Sequence, residues 1–189
     1  MLAFIFTLLW GQPVFAKGAP KSCPNAITLE AAEAIVLQMR DRYFPELAQT
    51  PIRTLPCVGE AYFLQAQPFV KSLTKKRARR SYKVEVNVEL LACPPAIEAL
   101  EAIIVHELEH VKDYTQWSTG RLLRHGIDYS LSFKQKVDYE RATDHKVLSK
   151  GLYEGLALYR EWVYQRLTPK DLLTKRRIYL TPEEIRASP

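Results

Sequence analysis

Residues His106-Glu107-Leu108-Glu109-His110 put two imidazoles and an intervening carboxylate into five consecutive positions, the pattern HExxH. On a helix, residues four apart differ by about 40° around the axis and about 6 Å along it, so both rings can aim at one ion. Glu107 falls one residue after the first histidine, where its side chain can reach a water on that ion without being a ligand itself. An ion of this kind lowers the pKa of such a water from 15.7 to about 7, and the glutamate can take its proton as the water attacks a carbonyl. The chemistry indicated is metal-assisted hydrolysis, with His106 and His110 as ligands and Glu107 as general base. The plainer reading is a pair of inert polar residues on an amphipathic helix. Two of the chain's four histidines stand at this spacing around this acid, which favours the metal.

The surrounding elements must hold these groups in place. AIEALEAIIVHELEHVKDY, residues 96–114, repeats its apolar residues at helical spacing, and Pro94 and Pro95 stand where a helix opens. Before it, Ser81 to Leu91 alternates apolar residues at 82, 84, 86, 88 and 90 with polar ones, the period of a half-buried strand. An apolar and aromatic run from Val58 to Gln67 predicts another strand, ending at Pro68. The basic stretch Lys71 to Arg80 then joins two antiparallel strands. Thr28 to Phe44 has helical spacing, with acids early and arginines late to suit the helix dipole. Helices are also expected at Ser132 to Lys150, broken by Gly151, at Leu152 to Leu167, closed by Thr168-Pro169, and briefly after Thr181. The sum is an α+β fold, helix-rich, in which a small antiparallel sheet packs on the HExxH helix and several further helices.

With the motif and these elements, the chain resembles the zincin metallopeptidases, and within them the gluzincin type. That resemblance implies zinc, peptide-bond hydrolysis and a third ligand, a glutamate on a later helix with an aspartate four residues on that holds the first histidine. Glu140 and Asp144, in Asp138-Tyr139-Glu140-Arg141-Ala142-Thr143-Asp144, match that pattern thirty residues after His110. It gives Glu140 the role of third ligand and Asp144 that of fixing the tautomer and orientation of His106. It also implies that the strand before the active-site helix, Tyr82 to Leu91, offers an edge to extended peptide. Alternative third ligands are Asp113, His125 and Asp128 in the loop after the helix, and His145. The long metzincin pattern fails, because Asp113 and Gln116 replace its glycine and last histidine. His125, Tyr129, His145 and Tyr153 are open alternatives for stabilising an oxyanion.

Composition narrows the setting. The chain has 189 residues, 47% of them hydrophobic and 25% charged, which excludes a disordered polymer and suits one globular domain. MLAFIFTLLWGQPVFA at the start has the shape of a secretory signal, cleaved after Ala16, and is too short to span a bilayer. The expected organisation is a signal peptide at 1–16, a linker at 17–27 and a single metallopeptidase-like domain at 28–189. Export to the periplasm or the extracellular space would place Cys23, Cys57 and Cys93 under oxidising conditions, with one disulfide and one cysteine over. Cys57 and Cys93 flank the expected strands and form the first pairing considered. Of the net charge of +6, much lies in Lys71 to Arg80, read as a solvated loop or as a surface for an acidic partner. The functional expectation is an exported zinc metallopeptidase acting on a peptide or protein, with no integral membrane span in the mature chain. The alternative is a non-catalytic protein of zincin fold that holds an acidic partner through its basic loop.

Overall fold

The computed structural model describes residues 23–58 and 62–188, so residues 1–16 and most of the linker lie outside it. Three strands, β1 (Ile52–Cys57), β2 (Leu64–Pro68) and β3 (Tyr82–Asn87), form one sheet. The helices are α1 (Leu29–Tyr43), α2 (Val88–Ala92), α3 (Ile97–Gln116), α4 (Thr119–Leu131), α5 (Phe133–Leu148), α6 (Tyr153–Tyr164), α7 (Pro169–Ile178) and α8 (Pro182–Ala187). The fold is α+β, as the sequence indicates.

The sheet is mixed, not antiparallel. Its order is β1-β3-β2, with β1 parallel to β3 in the register Ile52↔Tyr82 and β2 antiparallel to β3 in the register Leu64↔Val86. Alternation predicts a strand and its buried face but does not choose its neighbours. The prolines do carry that information, since Pro56 and Pro68 lack a donor and both stand on edge strands. β3 is therefore central, paired on both sides, and Tyr82 to Leu91 offers no edge to a substrate. Among the described residues, the unpaired edge next to the site belongs to β2.

Strand β3 also stops early. The side chain of Asn87 accepts from the N–H of Glu89 at 2.9 Å, a helix N-cap, and residues 88–92 turn into α2 instead of continuing the strand. This turn carries Cys93 away from Cys57, which sits beside Asn87 in the sheet register. The disulfide joins Cys23 to Cys93 instead of Cys57 to Cys93. Ile27 N–H donates to Leu91 O at 2.9 Å close by, so residues 23–27 are fastened to the domain.

Helix α3 begins at Ile97, past both prolines, and is buried continuously from Ala102 to Val111. A helix buried all round lies at the centre of its domain. Residues of α1, β2, β3 and α6 pack around it, with Met39, Ala66, Val84 and Leu156 in the same core as Ile104 and Leu108. Helix α6 comes closest at Gly155, where a Cβ would stand 2.3 Å from Glu98 O of α3, so only glycine permits the approach. The second acid of the motif, Glu109, is buried and lies 3.1 Å from Lys150 Nζ, which gives it a structural partner.

Part of the basic stretch is structural too. Arg77 Nη1 donates to Gln116 O at 2.9 Å, and Arg80, itself buried, donates to Trp117 O at 2.7 Å and to Thr119 Oγ1 at 2.8 Å. These guanidiniums satisfy carbonyls left open at the C-terminal end of α3, where the helix dipole also favours positive charge. Lys71, Lys75, Lys76 and Arg79 remain exposed.

Candidate metal centre

Helix α3 supplies His106 and His110 from one face, and α5 crosses it to bring Glu140 opposite them; all three are buried. Nε2 of His106 lies 3.0 Å from Glu140 Oε2 and 3.1 Å from His110 Nε2, and His110 Nε2 lies 3.5 Å from the same carboxylate oxygen. Ligands about 2.0–2.1 Å from a tetrahedral ion stand roughly 3.3–3.4 Å apart, so the three atoms have the spacing of one face of such a site. Tyr129 donates to the other carboxylate oxygen, Oε1, at 2.5 Å, which leaves Oε2 to face the histidines.

The far side of each ring explains why this arrangement calls for a cation. Asp144, one helical turn after Glu140 on α5, places Oδ1 2.9 Å from His106 Nδ1. Its carboxyl is held below the usual range because Arg160 and His106 outweigh the effect of burial. An ionised carboxylate at that distance draws the His106 proton to Nδ1 by its charge, without an aligned hydrogen bond. His110 Nδ1 lies 3.0 Å from the Tyr139 hydroxyl, which donates to Asp113 at 3.2 Å and therefore accepts from the ring. Lys146 in turn lies 2.9 Å from both oxygens of Asp113. Both Nε2 atoms thus present lone pairs to a carboxylate oxygen. Three converging acceptors repel unless a positive charge sits among them. With a proton in that role, burial opposes the His106 charge but Asp144 and Glu140 prevail, raising its pKa to about 10. Glu140 stays well below the ordinary range, because His110 and His106 overcome its burial.

The competing ligands go elsewhere. Residues 119–131 form α4, not a loop, with Ser118 as its N-cap. His125 packs there among aromatic rings, 4.4 Å from Tyr139 and 4.7 Å from Trp117, and burial followed by repulsion from His110 lowers its pKa to about 4. Asp128 faces Arg124 on the surface of α4, Asp113 is taken up by Lys146 and Tyr139, and His145 is exposed. Of the four residues considered for an oxyanion, Tyr129 reaches the site, while Tyr153 packs against the core.

Several residues at the site do not follow from the motif. Arg160 on α6 is buried and donates to Asp144 Oδ1 at 2.7 Å, and Leu180 N–H donates to Oδ2 at 2.9 Å. An arginine among Leu156, Ala157, Tyr159 and Val163, on the buried side of α6, is a visible signal in the sequence. A cavity of about 140 Å³ opens beside His110, Glu107 and Glu140, walled by Leu64, Gln65 and Ala66 of edge strand β2 and by Tyr129, Lys136, Lys175 and Tyr179. A second, smaller lobe lies on the His106 side, sharing Glu107, Lys175 and Tyr179. Glu107 stands between the lobes, its Oε2 accepting from the outward N–H of Ala66 at 2.6 Å. Tyr179 remains protonated, since burial and the charge of Glu140 push its pKa well up.

His106, His110 and Glu140 are thus a buried group that could hold a metal ion. Compared with models of known families, with curated proteins and with solved structures, the chain matches none. The Cys23–Cys93 bridge points to an oxidising compartment. Among the described residues no helix is long and apolar enough to cross a membrane.

Proposed function

We propose that the protein is an exported zinc-dependent metallopeptidase of gluzincin-like type, with His106, His110 and Glu140 as ligands and Glu107 as general base. The observation that carries this reading is the convergence of two imidazole lone pairs and one carboxylate oxygen at 3.0–3.5 Å from one another, beside a cavity walled by a further glutamate. Two histidines and a carboxylate suit zinc. Three ligands with an adjoining cavity suit catalysis, because structural zinc sites are closed by four protein groups.

When bound, zinc would supply Lewis acidity, activating a water and polarising the scissile carbonyl. The chain's own residues do the rest. Asp144 and Tyr139 hold the ring protons on Nδ1, so that both Nε2 atoms are free to ligate. Glu107 takes a proton from the attacking water as its oxygen bonds to the carbonyl carbon, then delivers that proton to the nitrogen as the C–N bond breaks. The hydroxyl ends on the acyl product and the proton on the amine. The outer edge of β2 lies along the cavity, and backbone pairing at Leu64, with Ala66 N–H released from Glu107, would seat an extended peptide whatever its side chains.

Metal analysis of the purified protein beside His106→Ala and Glu107→Gln, joined to a peptide-library cleavage assay, tests this. One zinc per chain is expected in wild type and in Glu107→Gln, with cleavage lost in the latter and zinc lost from His106→Ala. Absence of stoichiometric zinc from wild type, or equal cleavage by Glu107→Gln, overturns the reading.

A further inference from the structure

Two lysines on the cavity wall have no ion-pair partner among the described residues. Lys136 of α5 and Lys175 of α7 both line the larger lobe with His110 and Glu140, and Lys175 lines the smaller lobe as well. The lysines that do form ion pairs are Lys83, Lys112, Lys134, Lys146 and Lys150. Aromatic faces take the place of carboxylates at the two cavity lysines, Lys136 Nζ lying 4.6 Å from the centre of the Tyr129 ring and Lys175 Nζ 5.3 Å from that of Tyr179.

The charge balance shows what the cavity lacks. Asp144 is matched by Arg160, and Asp113 by Lys146. What is left on the walls is Glu107 and Glu140 against Lys136 and Lys175, two negative charges against two positive. A divalent ion at the ligand cluster therefore leaves the cavity with two surplus positive charges. Burial, with repulsion from Arg160, lowers the Lys175 ammonium to about 8, which leaves it charged at pH 7. A surplus of one sign lining a cleft attracts a counter-charge from whatever binds.

We propose that Lys136 and Lys175 form a receptor for a carboxylate of the substrate, which makes the preferred substrate a peptide with an acidic group close to the scissile bond. This rests on the metallopeptidase reading for the bond that is cut, and on a divalent ion at the ligand cluster for the surplus charge that binds the carboxylate. The carboxylate has two sources. If it is the terminal one, the protein trims residues from C-termini; if it is an Asp or Glu side chain, the protein cuts within chains.

A set of alanine-rich hexapeptides distinguishes these, each carrying Glu or Gln at one of successive positions and each made as free acid and as C-terminal amide. Affinity for the zinc-treated full chain is read by calorimetry, and products are read by mass spectrometry. Charged hydrogen bonds of this type are worth about ten- to hundredfold in affinity, so either the free acids should bind better than their terminal amides or one Glu peptide better than its Gln counterpart by that factor. Loss of preference with the terminal amide identifies the terminus, and loss with Gln identifies the side chain. Lys175→Met and Lys136→Met should each reduce the preference, and Lys175→Arg should retain it. Equal binding in both comparisons, free acid against terminal amide and Glu against Gln, no measurable binding of any peptide, or a preference that survives in the doubly substituted protein overturns the proposal. Preferential binding without cleavage leaves the receptor standing and removes the peptidase. Cleavage without preference does the reverse.

Discussion

Replacing Asp144 by asparagine keeps the shape of the side chain and removes its charge, at a position with no exposed surface. In the native structure Oδ1 lies 2.7 Å from Arg160 Nη2 and 2.9 Å from His106 Nδ1, and Oδ2 accepts from Leu180 N–H at 2.9 Å. An amide has one acceptor oxygen, so its NH₂ must face either Leu180 N–H or the His106 and Arg160 donors. Arg160 itself is 4% exposed and has no other carboxylate within ion-pair distance among the described residues. Removing one partner of a buried pair costs about 3–5 kcal/mol, and stranding a buried N–H about 1–3 kcal/mol. The two penalties share atoms, so Asp144→Asn should lower the unfolding free energy by about 3–5 kcal/mol, a large part of the 5–15 kcal/mol typical of a domain. Urea unfolding with EDTA at pH 7 measures this without a metal contribution. Adding Arg160→Met removes the orphaned charge and keeps most of the packing, so the double variant should regain at least half of the loss. If Asp144→Asn stays within about 1 kcal/mol of wild type, or the double variant is no more stable than the single, the buried pair does not hold this region together.

Metal affinity should rise with pH. The His106 pKa of about 10 in the folded metal-free protein means that an incoming ion must displace a proton, so affinity should climb about tenfold per unit between pH 7 and 9, as read by chelator competition. A flat profile refutes this. The same raised pKa stabilises the metal-free fold fully below the ordinary value of 6.5, and that stabilisation is lost as pH rises through about 10. At Gly155, alanine in a helix interior would ordinarily add about 1 kcal/mol. Here its Cβ would meet Glu98 O at 2.3 Å, so α6 must shift from α3, and the net effect should be a loss of about 1–3 kcal/mol, seen as a lowered Tm. A raised Tm would show that the two helices separate freely.

How much could be read from sequence depended on how local the determining interactions were. Helix α3 and the convergence of its histidines follow from a period of 3.6 and a spacing of four, which are properties of one segment. Glu140 and Asp144 required the resemblance, since thirty residues of intervening chain carry no rule that brings α5 across α3. Helix α4 was hidden because Gly120 and Gly126 interrupt its apolar spacing, although Ser118 was available as a cap. Helix α7 carries a similar start at Thr168-Pro169, with Asp171 accepting from Thr168; as the close of the preceding helix, the same residues gave no hint of it. The parallel pairing of β1 with β3 and the bridge from Cys23 to Cys93 are set by distant contacts. In both, a local signal did exist: Pro56 marks an edge strand, and Asn87 marks the turn that carries Cys93 away.

The partners behind the ligands bear on what a metal would do to the protein. Asp144 is fixed by Arg160 and Leu180, and Tyr139 by Asp113, which Lys146 holds in turn, so both imidazoles are oriented by side chains outside the ligand cluster. A zinc finger lacks such a frame, and there the binding energy of the metal is folding energy. Here the frame draws on a core that runs through α1, the sheet, α3 and α6, and the place of the ion can be taken by a proton on His106. Metal binding then becomes an exchange of one cation for another inside a structure already formed. A frame fixed before any ion arrives holds its donors in place without reorganisation, the feature on which electrostatic preorganisation depends.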